Sequence, residues 1–203
     1  MILKGDIMNI LIVDNYAKMR PLDHLKLSLE EHEITTEVIR HNAPNLQTKA
    51  DDFDALVLSG TENMLNREDL GEYKTEIALI KNYERPLLGI CGGHQLIGIA
   101  YGSKVIALGY EVTGYHNVQI IRPNTLFRSL PLTIQVLESH KEIVNKLPSK
   151  FDLMAYSKGG IIEAMVHSEK PVYGVQFHPE RYEKMSPHGR IILQNFIDSL
   201  KYQ

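Results

Sequence analysis

The chain of 203 residues contains no tryptophan and only one cysteine, Cys91. A single cysteine cannot form an internal disulfide, and the sequence has neither a CxxC pair nor an HExxH motif. No disulfide framework or recognisable zinc site therefore supports the fold. We predict that this chain holds no metal, and we expect a reducing, cytoplasmic environment.

An excess of charge of one sign is also lacking, because 22 Lys and Arg residues stand against 25 Asp and Glu residues, for a formal net charge of −3. This balance gives no electrostatic reason to expect binding to nucleic acid or to a membrane surface. No apolar run approaches the ~18 residues that cross a bilayer, and Met1–Asp6 is too mixed for a signal peptide. We expect small molecules or another protein as partners.

The hydrophobic content of 43% is enough for one sizeable core. Repeats, low-complexity tracts and linkers are missing, so we predict one domain over residues 8–203, preceded by a short extension at residues 1–7. Short apolar runs at 9–14, 54–60, 86–91 and 172–177 are typical of buried parallel strands. Helical spacing of apolar residues separates them, so the pattern predicts an α/β fold. Residues 104–147 contain strand-like pieces without a helix, which predicts an antiparallel insertion.

Cys91 lies where the strand-like run 86–91 meets Gly92 and Gly93 and a helical segment begins. At such a turn the helix N-terminus favours a thiolate, and the following backbone N–H can face a developing oxyanion. Burial in the core explains a lone cysteine equally well, because free cysteine is among the most buried residue types. The local pattern leaves both interpretations open.

A second motif, Gln176–Glu180, follows the last buried strand and favours the catalytic interpretation. In an extended segment, residues two apart point to the same side, so His178 and Glu180 can act together. Histidine can accept the proton of a thiol, and a carboxylate behind it fixes the tautomer of the ring. We therefore predict a triad of Cys91, His178 and Glu180.

These two motifs resemble those of class I glutamine amidotransferases. Gly89–Gln95 matches the pattern Gly-x-Cys-x-Gly-x-Gln around the nucleophile, and Gly174–Glu180 matches the pattern around the histidine and glutamate. Asp14–Tyr16, Leu58–Gly60 and Glu138–His140 also stand where the family has landmarks. The resemblance covers nearly the whole chain. It implies a flavodoxin-like three-layer sandwich with a mostly parallel central sheet and a small antiparallel insertion.

The resemblance also implies further site residues. Backbone N–H groups of Gly60 and Gly92 would form the oxyanion hole, and Gln95 with the backbone at Ser139 and His140 would hold the amino-acid end of glutamine. The family usually has Ser-Gly-Gly-Pro in the loop after the third strand. This chain departs from that pattern, because Thr61 and Glu62 replace the second glycine and the proline. The departure puts in doubt how active the chain is without a partner.

Within the family, Val136–Val144 and Ile162–Ala164 are most similar to the separate glutaminase subunits of GMP synthases, which convert XMP to GMP. That resemblance implies L-glutamine as the substrate and an ATP-pyrophosphatase subunit in trans as the partner. The chain lacks a GxxxxGK phosphate loop followed by Ser or Thr. We therefore expect no cofactor in this chain, with ATP and Mg²⁺ on the partner.

Three alternatives remain open on the sequence. One is a stand-alone γ-glutamyl hydrolase or amidase, which uses the same cysteine and histidine without delivering ammonia to a partner. A second is the glutaminase subunit of anthranilate or aminodeoxychorismate synthase, which Asp14–Tyr16 resembles as closely. A third is a regulatory subunit whose triad is not used in catalysis.

Overall fold

The computed structural model describes residues 8–17, 22–67, 69–123 and 125–201. The extension predicted at residues 1–7 lies outside these ranges. The helices and strands are, in chain order, β1 (Asn9–Asp14), α1 (Asp23–Glu30), β2 (Thr35–Arg40), α2 (Leu46–Ala50), β3 (Ala55–Leu58), α3 (Lys74–Asn82), β4 (Leu87–Ile90), α4 (Gly92–Ala100), β5 (Val105–Ile120), β6 (Thr133–Val144), β7 (Phe151–Tyr156), β8 (Ile162–His167), β9 (Val172–Val175) and α5 (His188–Leu200). Two short 3₁₀ helices lie at Gly71–Tyr73 and Thr125–Phe127.

The strands form one nine-stranded sheet in the order β2-β1-β3-β4-β9-β8-β7-β5-β6. From β2 to β9 every pairing is parallel, and from β9 to β6 every pairing is antiparallel. The α/β fold class is confirmed, but the sheet is parallel only in its first half. The antiparallel part is larger than a small insertion, because β5 has 16 residues and β6 has 12.

Alternate residues of the parallel strands enter two hydrophobic clusters on opposite faces of the sheet. Ile10 and Ile12 of β1 pack on the face covered by α1 and α5, whereas Leu11 and Val13 pack on the face covered by α2, α3 and α4. Both faces of β1 are therefore buried, which explains why its sequence is a continuous apolar run. The three layers are helices, sheet and helices.

The carboxyl ends of β3, β4 and β9 meet at one edge of the sheet, because these neighbouring strands are parallel. This is the edge where open α/β sheets bind their ligands. The segments that follow the three strands carry Gly60, Cys91 and His178, so the topology alone brings these residues together. In the described part of the chain, no helix has the length and apolar character to cross a membrane.

Candidate active site

Cys91 lies at the turn between β4 and α4, with φ +50° and ψ −101°. This backbone conformation is rare for a residue with a side chain and turns the strand sharply into the helix. The turn is held by hydrogen bonds from Cys91 N to the Val175 carbonyl (2.8 Å) and from Gly93 N to the Ser59 carbonyl (3.0 Å). A Cβ at Gly93 would lie 2.5 Å from the Leu58 carbonyl oxygen, so only glycine permits this approach.

His178 and Glu180 follow β9 and meet Cys91. The ring Nδ1 of His178 lies 2.8 Å from Glu180 Oε1, and the imidazole also makes a side-chain hydrogen bond with Cys91. Since Glu180 occupies Nδ1, the nitrogen that faces Cys91 is Nε2. The backbone N–H of His178 donates to the Leu137 carbonyl of β6 at 2.8 Å, which fixes the segment against the antiparallel half of the sheet. The predicted triad residues are thus adjacent in the structure.

The charges of this group favour an imidazolium. Burial opposes the protonation of His178, but the charges of Glu180 and Cys91 outweigh it and raise the pKa of His178 to about 10. For Glu180, burial would raise the pKa, but the charge and hydrogen bond of His178 hold it below its usual value. The side-chain contact with Cys91 therefore places a cationic hydrogen-bond donor beside the sulfur.

The loop after β3 packs directly on the cysteine turn. A Cβ at Gly60 would lie 3.2 Å from His178 Cε1 and 3.6 Å from Cys91 Cβ. A Cβ at Gly92 would lie 2.6 Å from Thr61 Cγ2 and 2.8 Å from the Thr61 backbone nitrogen. Both residues predicted for the oxyanion hole therefore lie at the triad, and the Thr61 backbone lies there too.

The loop after β3 lacks the second glycine and the proline of the family pattern, and two sets of hydrogen bonds hold it in position. Thr61 Oγ1 contacts Tyr73 Oη at 3.2 Å and accepts from the Asn63 backbone N–H at 3.0 Å. On the other side, the Asn15 backbone N–H donates to Ser59 Oγ at 2.9 Å. The Asn15 side chain donates to the Ser59 carbonyl at 3.2 Å and to the fully buried Glu76 at 3.0 Å.

A cavity of about 200 Å³ opens in front of Cys91. Its lining includes Cys91 and His178 of the predicted triad and all three residues predicted to bind substrate, namely Gln95, Ser139 and His140. Acidic and basic side chains also border it: Glu62, Glu111, Glu142, Lys141 and Arg181. The cavity thus offers partners for the ammonium and carboxylate groups of an amino acid.

Two of the predicted substrate-binding residues, Gln95 and His140, contact the same backbone carbonyl, that of Glu142. The side-chain amide of Gln95 donates to the Glu142 carbonyl (2.8 Å) and to Gln176 Oε1 (3.2 Å), which leaves its oxygen to accept from a ligand. His140 Nδ1 lies 3.1 Å from the same Glu142 carbonyl. The Ser139 carbonyl lies 3.8 Å from Cys91 Sγ, so β6 forms the wall of the cavity beside this cysteine.

Glu142 was not predicted from the sequence as a site residue. Its carboxylate accepts hydrogen bonds from the backbone N–H groups of Leu65 (2.7 Å) and Asn66 (3.0 Å), and the side chain is buried. It thereby ties the loop after β3 to β6 across the cavity. Glu142 lies within the Val136–Val144 motif, but its partners are more than 70 residues away, so only the structure identifies its role.

A cluster of titratable side chains lies behind this wall. Glu138 and His140 of β6 and Glu163 of β8 place a carboxylate oxygen, a ring nitrogen and a second carboxylate oxygen within 4.8 Å of one another. All three are buried. In the described ranges this is the one group of three or more such side chains that could gather around a cation.

The sequence model of the family "Glutamine amidotransferase class-I" matches residues 11–200. The chain therefore belongs to the class I glutamine amidotransferases.

Two curated relatives are each described as a glutamine-hydrolyzing subunit of GMP synthase. The protein of Methanothermobacter thermautotrophicus is 35% identical over 93% of this chain and 96% of its own length. That of Archaeoglobus fulgidus is 35% identical over 96% of this chain and 100% of its own length. The crystal structure of a Thermoplasma acidophilum protein, described as a "putative gmp synthase subunit a protein", matches this fold with a TM-score of 0.86 at 28% identity. The match covers 98% of this chain and 96% of that one.

Proposed function

We propose that this chain is the glutamine-hydrolysing subunit of a two-subunit GMP synthase. It would hydrolyse L-glutamine to glutamate and ammonia, and a partner synthetase would use the ammonia to convert XMP to GMP. The observation that carries the proposal is the contact of Cys91, His178 and Glu180 at the cavity. The likeness to glutamine-hydrolyzing GMP synthase subunits over nearly the full length of both chains supports the choice of partner reaction.

In the first half of the reaction, the Cys91 thiolate attacks the side-chain amide carbon of glutamine. The oxyanion that forms accepts hydrogen bonds from backbone N–H groups of the Gly60–Thr61 turn and of Gly92. His178 then gives its Nε2 proton to the amide nitrogen, the C–N bond breaks, and ammonia leaves a thioester on Cys91.

In the second half, neutral His178 takes a proton from water, and the hydroxide attacks the thioester carbon. The C–S bond breaks, which restores the thiolate and the imidazolium, and the new γ-carboxyl group loses its proton to solvent as glutamate leaves. Glu180 keeps the imidazole oriented through Nδ1 and stabilises its charged form. Gln95 and the Ser139–His140 backbone would hold the amino-acid end of the substrate.

The partner in trans follows from the chemistry of the product. Ammonia is diluted if it escapes to solvent, and activation of XMP needs ATP, for which this chain has no phosphate-loop motif. The proposal therefore places ATP, Mg²⁺ and XMP on a separate ATP-pyrophosphatase subunit.

The test measures glutamine hydrolysis by the purified chain, alone and together with XMP and an ATP-pyrophosphatase partner. We expect hydrolysis to increase in the complex and GMP to form from glutamine. Cys91→Ala should remove glutamine-dependent synthesis, by at least about 10⁴-fold, and leave synthesis from added ammonia intact. Efficient cleavage of γ-glutamyl peptides with no response to a synthetase would instead establish a stand-alone hydrolase.

A further inference from the structure

The side chains of Glu138, His140 and Glu163 form a buried cluster and have no part in the reaction described above, in which only the backbone of His140 would contact the substrate. Glu138 and Glu163 are each 1% exposed and do not line the cavity. Few hydrogen-bond donors surround these carboxylates. Ser157 Oγ donates to Glu163 Oε1 at 2.6 Å, but among the described residues no donor outside the cluster reaches the other carboxylate oxygens. Two bare carboxylates cannot both be ionised at such a place without a large free-energy cost.

Protons shared between these side chains would remove the free-energy cost of burying two carboxylates, and the distances show where such protons can lie. His140 Nδ1 faces the Glu142 carbonyl, which can only accept, so Nδ1 carries a hydrogen. His140 Nε2 lies 3.0 Å from Glu138 Oε2, a hydrogen-bond distance. Carboxylate oxygens of Glu138 and Glu163 lie within 4.8 Å of each other, and a hydrogen bond between these two carboxyl groups would also need a proton.

We infer that this cluster is an electrically neutral chain of hydrogen bonds that holds two protons beyond the one on Nδ1. One proton lies between His140 Nε2 and Glu138, and the other lies between Glu138 and Glu163. The chain fixes the β6 wall of the glutamine cavity and acts by positioning, not by contact with substrate.

The link to the cavity runs through Glu142. Its carbonyl accepts from both His140 Nδ1 and the Gln95 amide, and its carboxylate holds the loop after β3. A displaced His140 would therefore move the wall beside Cys91, the Gln95 side chain and the loop opposite. We expect the consequence in the KM for glutamine, because the triad itself is not in this chain of hydrogen bonds.

The groups around the cluster agree with a neutral state. Burial and then the charge of Glu138 raise the pKa of Glu163 well above its usual value, and Cys91 acts in the same direction. On α4, the fully buried His94 is next to His140, and burial lowers the pKa of His94 to about 3, so it stays neutral. Beside Glu163, the remaining partner is the uncharged hydroxyl of Ser157.

The experiment compares Glu163→Gln with Glu163→Leu. Gln can donate to Glu138 and accept from Ser157, as a protonated Glu163 does, whereas Leu fills the space and makes neither hydrogen bond. We expect Glu163→Leu to raise the KM for glutamine about tenfold relative to Glu163→Gln, with similar kcat. Equal KM values in the two variants would overturn the positioning role.

A second measurement, the dependence of stability on pH, tests whether Glu163 is protonated and does not require enzymatic activity. Above pH 4.5 an unfolded Glu163 is ionised, so a wild-type chain that folds with this group protonated takes up one proton more than Glu163→Gln. The stability advantage of Glu163→Gln over wild type should then grow by about tenfold in the unfolding equilibrium constant per pH unit between pH 5 and 7. A pH-independent difference would overturn the protonated state.

A bound metal is the rival outcome, since histidine and two carboxylates also suit a divalent ion. Metal analysis of the purified wild-type chain and titration with Zn²⁺ decide between them. One equivalent of metal in the wild type, lost in Glu163→Gln together with stability, would overturn the proton-sharing chain. The KM measurement rests on the proposed glutaminase function, whereas the stability and metal measurements do not, so a failure of either idea is recognisable.

Discussion

The parallel and antiparallel halves of the sheet contribute different things to the same cavity. The parallel half supplies Cys91 and His178 from the ends of β4 and β9, and all the side chains of the proposed triad lie there. The antiparallel half supplies β6, whose Ser139–Glu142 segment forms the opposite wall and supports the loop after β3. The chemistry and the shape of the site thus come from separate parts of the sheet, and variants in each half should affect different kinetic constants.

The largest effect is expected in the parallel half, from Glu180→Gln. The substitution keeps the shape of the side chain but removes the charge that stabilises the His178 imidazolium. We expect kcat for glutamine hydrolysis to fall by roughly 10³- to 10⁴-fold, the size seen when the carboxylate of such a triad is replaced by an amide. The check is steady-state kinetics. A change in KM alone would contradict the assignment of Glu180 to the chemistry.

The same variant has a signature in stability against pH. The pKa of folded His178 is raised to about 10 from an unfolded value near 6.5. Its contribution to stability is therefore fully present below pH 6.5 and is lost as the pH rises to 10. In thermal melts, the midpoint of the wild type should fall more steeply over this range than that of Glu180→Gln. Parallel curves would count against an ion pair.

A smaller effect is expected in the antiparallel half, from Glu142→Gln. An amide is uncharged and has one acceptor oxygen in place of two, so one of the backbone N–H groups of Leu65 and Asn66 loses its acceptor and the other keeps only a neutral one. Such a hydrogen bond contributes about 1.5–3 kcal/mol, so we expect KM to rise by roughly tenfold or more with little change in kcat. Glu142→Asp is the matched control, because it keeps the charge. A loss of kcat as large as that of Glu180→Gln would break the division between the halves.

The smallest effect is expected between the halves, at Thr61. Thr61→Ala removes the hydroxyl that contacts Tyr73 and Asn63, and the turn beside Gly92 should become less well ordered. Because each neutral hydrogen bond contributes about 0.5–1.5 kcal/mol, we expect kcat/KM to fall roughly three- to tenfold. Thr61→Ser retains the hydroxyl and should behave like wild type. If both variants are equally active, the hydroxyl does not compensate for the missing glycine and proline.

The buried parallel strands were predicted from the sequence, whereas two strands of the antiparallel half were not. Strands β1, β3, β4 and β9 are buried on both faces, so each is a continuous apolar run that a pattern can recognise. Strands β7 and β8 were not predicted, because buried polar residues such as Glu163 interrupt their apolar pattern. The five-residue helix α2 was missed as well, since it is too short to display helical spacing.

In the candidate site, residues that stand in short motifs could be predicted, whereas a contact between distant parts of the sequence could not. Cys91, His178 and Glu180 stand in two compact motifs at the ends of parallel strands, so their contact could be inferred from topology. Glu142 and the loop at Leu65 are 77 residues apart in sequence, and their contact depends on how β6 curls back towards the parallel strands. No local pattern carries that information.

The backbone conformation at Cys91 lowers the stability of the fold, although the proposed chemistry requires a side chain at this position. With φ at +50°, this position suits glycine, and a side chain there costs on the order of 1–3 kcal/mol. A glycine at position 91 would relieve that cost and give a more stable protein that lacks the proposed nucleophile. Any procedure that optimises this chain for stability alone would therefore tend to replace the proposed nucleophile, because the stability of the fold and the proposed chemistry favour different residues at position 91.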